Sequence, residues 1–405
     1  MNSTLQHVVI GGSAAGVAAA LSMRASGFQG RISIIDAGTD EPYERPPLSK
    51  TFEDLAAPRP IVPASSYAQH GIDLILGAQV VKLDEQHHRV VLDTGDDLLA
   101  AAVLLATGVS PRRLDIPGED LGNILTLRDI HDARAMSQRL DAGGHLMIIG
   151  GGFIGLEAAA VARRRGLDVT VVEALPMPLA GVLGTELAQI LQQMHTREGV
   201  RFLTGRTAAR FHGGTEVEEV LLDDGTRWEA STVLVGCGVV PNDRLAGEAG
   251  VYTRAGVVTD AHGRTSSPWI WAAGDVSNYV SPYTGRRQRI EHWDVAQRHG
   301  TVVGANMAGL ETVNTAVPYF WSDQYGKRLQ MYGRRSAGDQ LVMRPASSGE
   351  DFLAFWLREG RLVASAGLDR PRELRATKPL IERHALVSAV DLADPAVPVR
   401  RLGTA

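Results

Sequence analysis

At roughly 150 residues per domain, a chain of 405 residues implies two or three domains. Hydrophobic residues make up 44% and charged residues 21%, a folded globular composition that leaves little room for disorder. The net charge of −5 argues against a generally basic surface of the kind that holds nucleic acid and leaves room only for a local basic patch. One cysteine, Cys237, excludes an internal disulfide, a CxxC redox pair and a multi-cysteine metal centre, and no metal ligands are assigned. Glycine is in excess, 44 residues or about 11% against a usual ~7%, so tight turns and close backbone approach are used often. The longest apolar run, Leu98 to Ala106, is nine residues and too short to span a bilayer. With no leader or lipidation signal either, a cytoplasmic protein without a membrane partner is expected.

The first predicted element is an apolar strand from His7 that enters a glycine turn, Gly11 to Gly16, and then an Ala-rich helix over Val17 to Arg24. A β-branched strand follows, Arg31 to Ile35, and ends on Asp36. Next comes Glu41-Pro-Tyr-Glu-Arg-Pro-Pro-Leu-Ser-Lys50, whose prolines predict an extended, stiff segment. Arg45 and Lys50 in it are solvated loop cations or, for Lys50 beside a flavin, a donor near its N5. Leu104-Leu-Ala-Thr-Gly-Val-Ser-Pro-Arg112 reads as a buried strand running into glycine and proline, and Leu234-Val-Gly-Cys-Gly-Val-Val-Pro-Asn242 echoes it. Such strands suit a chain crossing between domains, and Cys237 is expected to be a small core residue of the second.

Between the crossings the opening pattern recurs. His145 to Ile149, Gly150-Gly-Gly-Phe-Ile-Gly155, a helix over Leu156 to Arg165, and a strand Asp168 to Val172 ending on Glu173 form a second βαβ unit. Gly150, Gly152 and Gly155 meet the GxGxxG spacing that permits a tight turn, pyrophosphate approach and helix–strand packing. Glu173, twenty-three residues after Gly150, is placed to bind the adenosine ribose, and no lysine or arginine lies between Val169 and Thr196 to hold a 2′-phosphate. NADH is therefore expected over NADPH. In the first unit Gly11 and Gly16 match, while Ser13 takes the middle position and can still donate to a phosphate; Asp36 follows Gly11 by twenty-five residues. Two nucleotide folds imply two nucleotides, FAD in the first and NAD in the second. Trp269 to Ala273 and Gly274-Asp275 close the first fold, and beyond Pro318 short apolar strands with glycine turns predict a small sheet domain with a helix near Arg372 to His384.

PYERPPLSK, the ATG at Ala106 to Gly108 with Arg112, GGFIGLE, Gly274-Asp275, Glu291-His-Trp293 and Pro318-Tyr-Phe-Trp-Ser-Asp-Gln324 together resemble the oxygenase-coupled ferredoxin reductases. That family includes putidaredoxin reductase, rubredoxin reductase and the reductase components of aromatic-ring dioxygenases. The resemblance implies a glutathione-reductase-like α/β architecture: two Rossmann-type nucleotide-binding domains and a C-terminal α+β domain. FAD would occupy residues 1–112 and 241–317, NAD residues 113–240, and the C-terminal domain residues 318–405. Gly11, Ser13, Gly16, Arg45, Lys50, Ala106, Arg112 and Asp275 would contact FAD, with Trp293 at the isoalloxazine edge and a helix starting near Asp294 aimed at the ring. Glu157 would stand opposite Lys50 where nicotinamide stacks, orienting rather than exchanging protons. Where relatives carry an acidic Gly-Asp-Glu run this chain has Asp36-Ala-Gly38, and where they carry arginines after the second acid it has Met177 and Gly181.

The implied activity takes hydride from NADH and passes single electrons to a [2Fe–2S] ferredoxin serving a cytochrome P450 or a Rieske oxygenase. A rubredoxin reductase is the nearest alternative, and a non-catalytic flavoprotein sensor resembling apoptosis-inducing factor is the second. A disulfide reductase lacks its dithiol here, and an NADH peroxidase or oxidase of related fold would want its cysteine near Ser49 or Lys50. Arg289 and Trp321 are the expected docking residues for the acidic ferredoxin, with Arg286 and Arg287 beside them.

Overall fold

The computed structural model describes residues 5–53, 55–344 and 351–403. The chain divides into two compact units. One takes the chain up to Glu44, Pro58–Ser110 and Val240–Tyr319; the other takes Arg45–Ala57, Pro111–Val239 and everything from Phe320 onward.

The first unit is built on a five-stranded parallel sheet in the order Ile270–Ala272, Ala102–Leu105, Gln6–Ile10, Arg31–Asp36, Ile72–Leu76. Both faces are covered, as parallel sheets require. Val9, Ile34 and Leu104 pack beneath the helices Ala14–Ala25 and Trp293–Met307, while Val8, Ile35 and Val103 face a small antiparallel sheet through Val80, Val90 and Leu92. The register pairs Ile10 with both Ile35 and Leu105, and Leu105 with Ala272. Gly11, Asp36, Ala106 and Ala273 therefore leave the sheet at one carboxyl-terminal edge, where open α/β sheets bind ligands. The two helices touch through small residues: a Cβ on Gly300 would lie 2.1 Å from the Ala15 carbonyl oxygen, and one on Gly304 would lie 2.2 Å from that of Ala19.

The second unit repeats the plan. Its parallel sheet runs Val200–Thr204, Asp168–Glu173, His145–Ile149, Thr232–Val235, Ile124–Leu125, again with a three-stranded antiparallel sheet on one face. Ile149 pairs with Val172 and with Val235, so Gly150, Glu173 and Gly236 share an edge. To this is added a five-stranded sheet in the order Tyr319–Gln324, Lys327–Gly333, Arg361–Leu368, Phe352–Arg358, Gln340–Arg344, covered by the helix Pro371–Glu382.

Two local expectations are corrected. Pro46–Ser49 is a 3-10 turn and not an extended run, because paired prolines at the start of a helical turn need no N–H and already hold its φ. Cys237 is not in the buried strand. That strand ends at Val235, and Cys237 sits half-buried in the following glycine turn, still packed against the core of that sheet, its thiol on the Arg112 carbonyl oxygen at 3.7 Å. The helix expected from Asp294 begins one residue earlier, at Trp293, with His292 as its cap. Among the described residues no helix is long and apolar enough to cross a membrane.

Three histidines, His7, His195 and His299, are buried and held neutral, each lowered to about 4 by desolvation. Their folded values lie below the unfolded ~6.5, so the unfolded chain binds their protons first as pH falls. Stability complete above pH ~6.5 is lost down to pH ~4, on the order of 3 kcal/mol per histidine. Urea unfolding across that window is expected to show this acid limb, and His299→Asn to make it shallower.

Candidate functional site

The first cradle forms where the strand Gln6–Ile10 turns into the helix Ala14–Ala25. Gly11 has φ +112°, and a Cβ there would meet the Ala106 carbonyl oxygen at 2.3 Å; one on Gly16 would meet the Gly11 carbonyl oxygen at 1.9 Å. Neither position admits a side chain, which brings the turn against the sheet edge and the helix against the turn. Ser13 caps the helix with extended backbone, and its hydroxyl makes no capping bond. Asp36 accepts from the N–H groups of Gly12 at 2.5 Å and Gly38 at 2.8 Å, so its carboxylate is fixed at the rim. The Gly274–Val276 turn joins the same rim: a Cβ on Gly274 would lie 2.7 Å from the Ala15 Cβ, and the Gly274 N–H donates to His299 Nδ1 at 3.2 Å. Asp275 follows directly. The helices Ala14–Ala25 and Trp293–Met307 run parallel, since Gly300 meets Ala15 and Gly304 meets Ala19. Trp293 therefore extends roughly 10 Å beyond Ala15, past the glycine turn.

The second cradle is built the same way. A Cβ on Gly150, at φ +109°, would meet the Gly236 carbonyl oxygen at 2.5 Å, and one on Gly155 the Gly150 carbonyl oxygen at 2.4 Å. Gly152 has nothing nearer than 4.0 Å, so the middle of the turn is open on its outer side. Glu173 accepts from Gly151 N–H at 2.7 Å and Leu175 N–H at 2.8 Å, the counterpart of Asp36. Each cradle offers the N-terminus of a helix to an anion and a fixed carboxylate to ribose hydroxyls. The residues present fit two dinucleotides.

The candidate FAD residues do not all lie in one unit. Gly11, Ser13, Gly16, Asp36, Ala106, Asp275 and Trp293 belong to the first, and Arg45, Lys50 and Arg112 to the second. Within the second unit Lys50 meets Glu157. Its Nζ donates to Glu157 Oε1 at 2.7 Å, Ser322 Oγ donates to the same oxygen at 2.6 Å, and Ser49 Oγ donates to Oε2. Glu157 is 2% exposed and the Lys50 side chain 12%. The segment carrying Lys50 is tied down by Arg134 on the Leu55 carbonyl oxygen at 2.9 Å and by Arg165 on that of Phe52 at 3.4 Å. Lys50 Nζ also stands 5.9 Å from the Trp321 ring centroid, so Trp321 borders the ion pair.

Arg289 is less available than its sequence position suggests. It donates to the Asp275 carbonyl oxygen at 3.3 Å, pairs with Glu291 at 2.9 Å, and its side chain is 17% exposed. Arg286 and Arg287 are the exposed cations of that stretch, and Arg287 donates to the carbonyl oxygens of Thr259 and Asn278. Burial pushes the Cys237 thiol above its usual range, against the thiolate character of a redox cysteine. The sequence reading missed Ser49, Ser322, Gln324 and His195, which surround or lead to Glu157. The alternation Ser322, Gln324 on one strand face is a usable signal for two of them.

Residues 5–300 match the family model described as pyridine nucleotide-disulphide oxidoreductase, and residues 319–403 match the one described as reductase C-terminal. The chain is 36% identical over 391 residues to the ferredoxin reductase component of chlorobenzene dioxygenase from Cupriavidus sp. (strain PS12), covering 96% of this chain and 95% of that one. It is 34% identical to a ferredoxin–NAD(P)(+) reductase from Sphingomonas sp., covering 98% and 97%. The solved structure of the covalent putidaredoxin reductase–putidaredoxin complex superposes with a TM-score of 0.93 at 33% identity, over 98% of both chains. The fold is therefore the α/β, glutathione-reductase-like one, and its two cofactors are FAD and a nicotinamide nucleotide. With both cradles and the C-terminal sheet matched along the whole length, the chain belongs to the pyridine nucleotide-disulphide oxidoreductases, among the ferredoxin reductases of oxygenase systems.

Proposed function

We propose that this protein is an FAD-dependent NADH:ferredoxin reductase whose partner is a [2Fe–2S] ferredoxin supplying a cytochrome P450 or a Rieske oxygenase. The observation that carries this reading is the pair of like-built cradles in a chain whose single cysteine is unsuited to redox work. With no dithiol to receive an electron pair, the electrons leave to a separate carrier. Bound FAD would supply the conversion of a two-electron hydride into one-electron deliveries. In this reading residues 1–112 and 241–317 hold FAD, residues 113–240 hold NAD, and residues 318–405 complete the nicotinamide side through Trp321 and Ser322.

Gly11, Ser13 and Gly16 would take the FAD pyrophosphate, Asp36 its ribose, and Ala106, Arg45, Arg112, Asp275 and Trp293 its remaining edges. Gly150, Gly152 and Gly155 would take the NAD pyrophosphate. Glu173, fixed by two backbone donors, would accept from the adenosine ribose and repel a 2′-phosphate, which favours NADH. Lys50 and Glu157 would orient the nicotinamide.

The test follows NADH-driven cytochrome c reduction by the purified yellow protein, with and without added ferredoxins or rubredoxins. Strong dependence on a [2Fe–2S] ferredoxin is expected, with NADPH at least about tenfold less efficient, a difference of ~1.4 kcal/mol. A response to rubredoxin alone would reassign the partner, and no response to any carrier would support a sensor. Arg286→Glu places the charge reversal on an exposed cation instead of on Arg289, which also supports Asp275. It is expected to lower efficiency with ferredoxin about 5–10-fold, as a rim charge does, and to leave ferricyanide reduction unchanged. Equal losses with both acceptors would remove this stretch from the docking surface.

A further inference from the structure

Glu157 is the end of a buried hydrogen-bond chain that leads away from Lys50. Ser322 Oγ contacts Glu157 Oε1 at 2.6 Å, and Gln324 Nε2 contacts Ser322 Oγ at 2.9 Å. Gln324 Oε1 meets His195 Nε2 at 2.7 Å, and His195 Nδ1 meets the Tyr325 hydroxyl at 2.9 Å. Ser322, Gln324, His195 and Glu157 are all buried, with His195 and Ser322 at 0%. The parts come from distant places in the sequence: His195 from the helix Thr185–Arg197, Ser322 and Gln324 from one face of the strand Tyr319–Gln324, Glu157 from the helix Phe153–Arg164.

The donors can be ordered from one end. A carboxylate only accepts, so the Ser322 hydroxyl donates to it. The Ser322 oxygen then receives the Gln324 amide, which turns the Gln324 carbonyl toward His195. That oxygen needs a donor, so His195 carries its proton on Nε2. Burial keeps the ring neutral, lowered to about 4, and leaves Nδ1 as an acceptor for the Tyr325 hydroxyl. Every bond therefore points its donor toward Glu157. Among the described residues, the charged groups that act on the chain do so at its two ends. Lys50 faces Glu157, with Arg164 on the Lys50 carbonyl oxygen at 3.4 Å, and Glu198, Arg163 and Arg164 act on Tyr325. Phe202 sets its edge against His195, with centroids 6.2 Å apart.

We propose that Ser322, Gln324 and His195 are positioning residues whose aligned donors fix the Glu157 carboxylate against Lys50, and so set how fast NADH reduces the bound flavin. The chain is a line of oriented dipoles and not a proton conduit, because the Gln324 amide would have to pass a proton through an imidic acid form. Its position between the C-terminal sheet and the nucleotide fold gives the C-terminal sheet a role in the NADH half-reaction. The proposal rests on the assignment of Lys50 and Glu157 to the nicotinamide site.

Flavin reduction by saturating NADH, with ferricyanide as acceptor, is measured for Ser322→Ala, Ser322→Thr, Gln324→Leu and Glu157→Gln, alone and combined. Loss of a hydrogen bond to a charged group is worth about tenfold, so Ser322→Ala is expected to slow reduction about 10-fold, and Gln324→Leu, which removes a neutral bond to Ser322, about 3–5-fold, both with little change in NADH KM. Ser322→Thr keeps the hydroxyl and most of the rate. In the Glu157→Gln background neither change should slow the reaction further, because both act through that carboxylate. Equal slowing in both backgrounds would make the chain merely structural and overturn the proposal. No slowing by Ser322→Ala or Gln324→Leu, where Glu157→Gln is itself slow, would overturn it and leave the site assignment standing. A normal rate for Glu157→Gln would overturn the site assignment and this proposal with it. Independently of turnover, ¹⁵N resonances of His195, identified by their loss in His195→Phe, are expected to show the Nε2–H tautomer without titration down to about pH 5. The Nδ1–H tautomer would refute the direction of the chain.

Discussion

Replacing Glu157 by leucine is expected to destabilise the protein by about 3 kcal/mol and to slow flavin reduction by NADH more than any other single change. Leucine fills a similar volume, so the cost is electrostatic. The Lys50 ammonium, 12% exposed and 2.7 Å from its carboxylate, is left without its counter-charge, and Ser49 and Ser322 lose an acceptor. Breaking a buried pair by removing one partner costs about 3–5 kcal/mol; the residual exposure of Lys50 puts this case at the lower end. Removing both charges as Glu157→Leu with Lys50→Met should recover part of the stability, since no buried charge then lacks a partner, and none of the rate. Urea unfolding and stopped-flow flavin reduction read the two effects separately. If the double replacement were as unstable as the single one, the unpaired lysine would not be the cause. If the single replacement reduced its flavin at the normal rate, the pair would be ornamental to the NADH reaction.

What the sequence makes legible is what short-range pattern encodes. Gly11 to Gly16 and Gly150 to Gly155 lie between an apolar strand and an Ala-rich helix, and an acid ends the next strand in both. Each constraint spans fewer than thirty residues and follows from local backbone sterics and strand ends, so both cradles are legible in the sequence. Lys50 with Glu157 was reached only through a resemblance, since nothing local in either segment announces the other. The chain behind Glu157 was not reached at all. Ser49, His195 and Ser322 meet there across more than 270 positions, and a buried histidine or serine has no sequence mark that separates it from a packed one. The Pro46–Ser49 turn failed for the opposite reason: paired prolines fix φ but leave ψ open, and both an extended run and a helical turn satisfy them. The place of Cys237 and the partners of Arg289 are not legible in the sequence, because a strand's end and an arginine's contacts depend on atoms from elsewhere in the fold.

The second large effect is expected from Gly300, in a helix where alanine would ordinarily be favoured. Gly→Ala in a helix interior gains up to ~1 kcal/mol in propensity. At Gly300 the new Cβ would stand 2.1 Å from the Ala15 carbonyl oxygen, backbone that no rotamer change can move. The helix Trp293–Met307 must retreat by roughly 1 Å, and overpacking of this kind costs about 1–3 kcal/mol, or more where backbone opposes backbone. A net loss of about 2 kcal/mol is expected, a fall in Tm of about 4–8 °C. The damage should be larger in function than in stability. Ala15 lies in the first helical turn after Ser13, Gly274 rests on the Ala15 Cβ, and Trp293 begins the displaced helix. A shift there opens the cradle itself, so Gly300→Ala should release FAD on ultrafiltration that the unaltered protein retains. Gly247→Ala is the control. It lies in the helix Arg244–Glu248 of the same unit, its Cβ would have no neighbour nearer than 3.9 Å, and it should be neutral or slightly stabilising with FAD kept. If both alanines behaved alike, close approach of the two helices would not be what holds the FAD cradle shut.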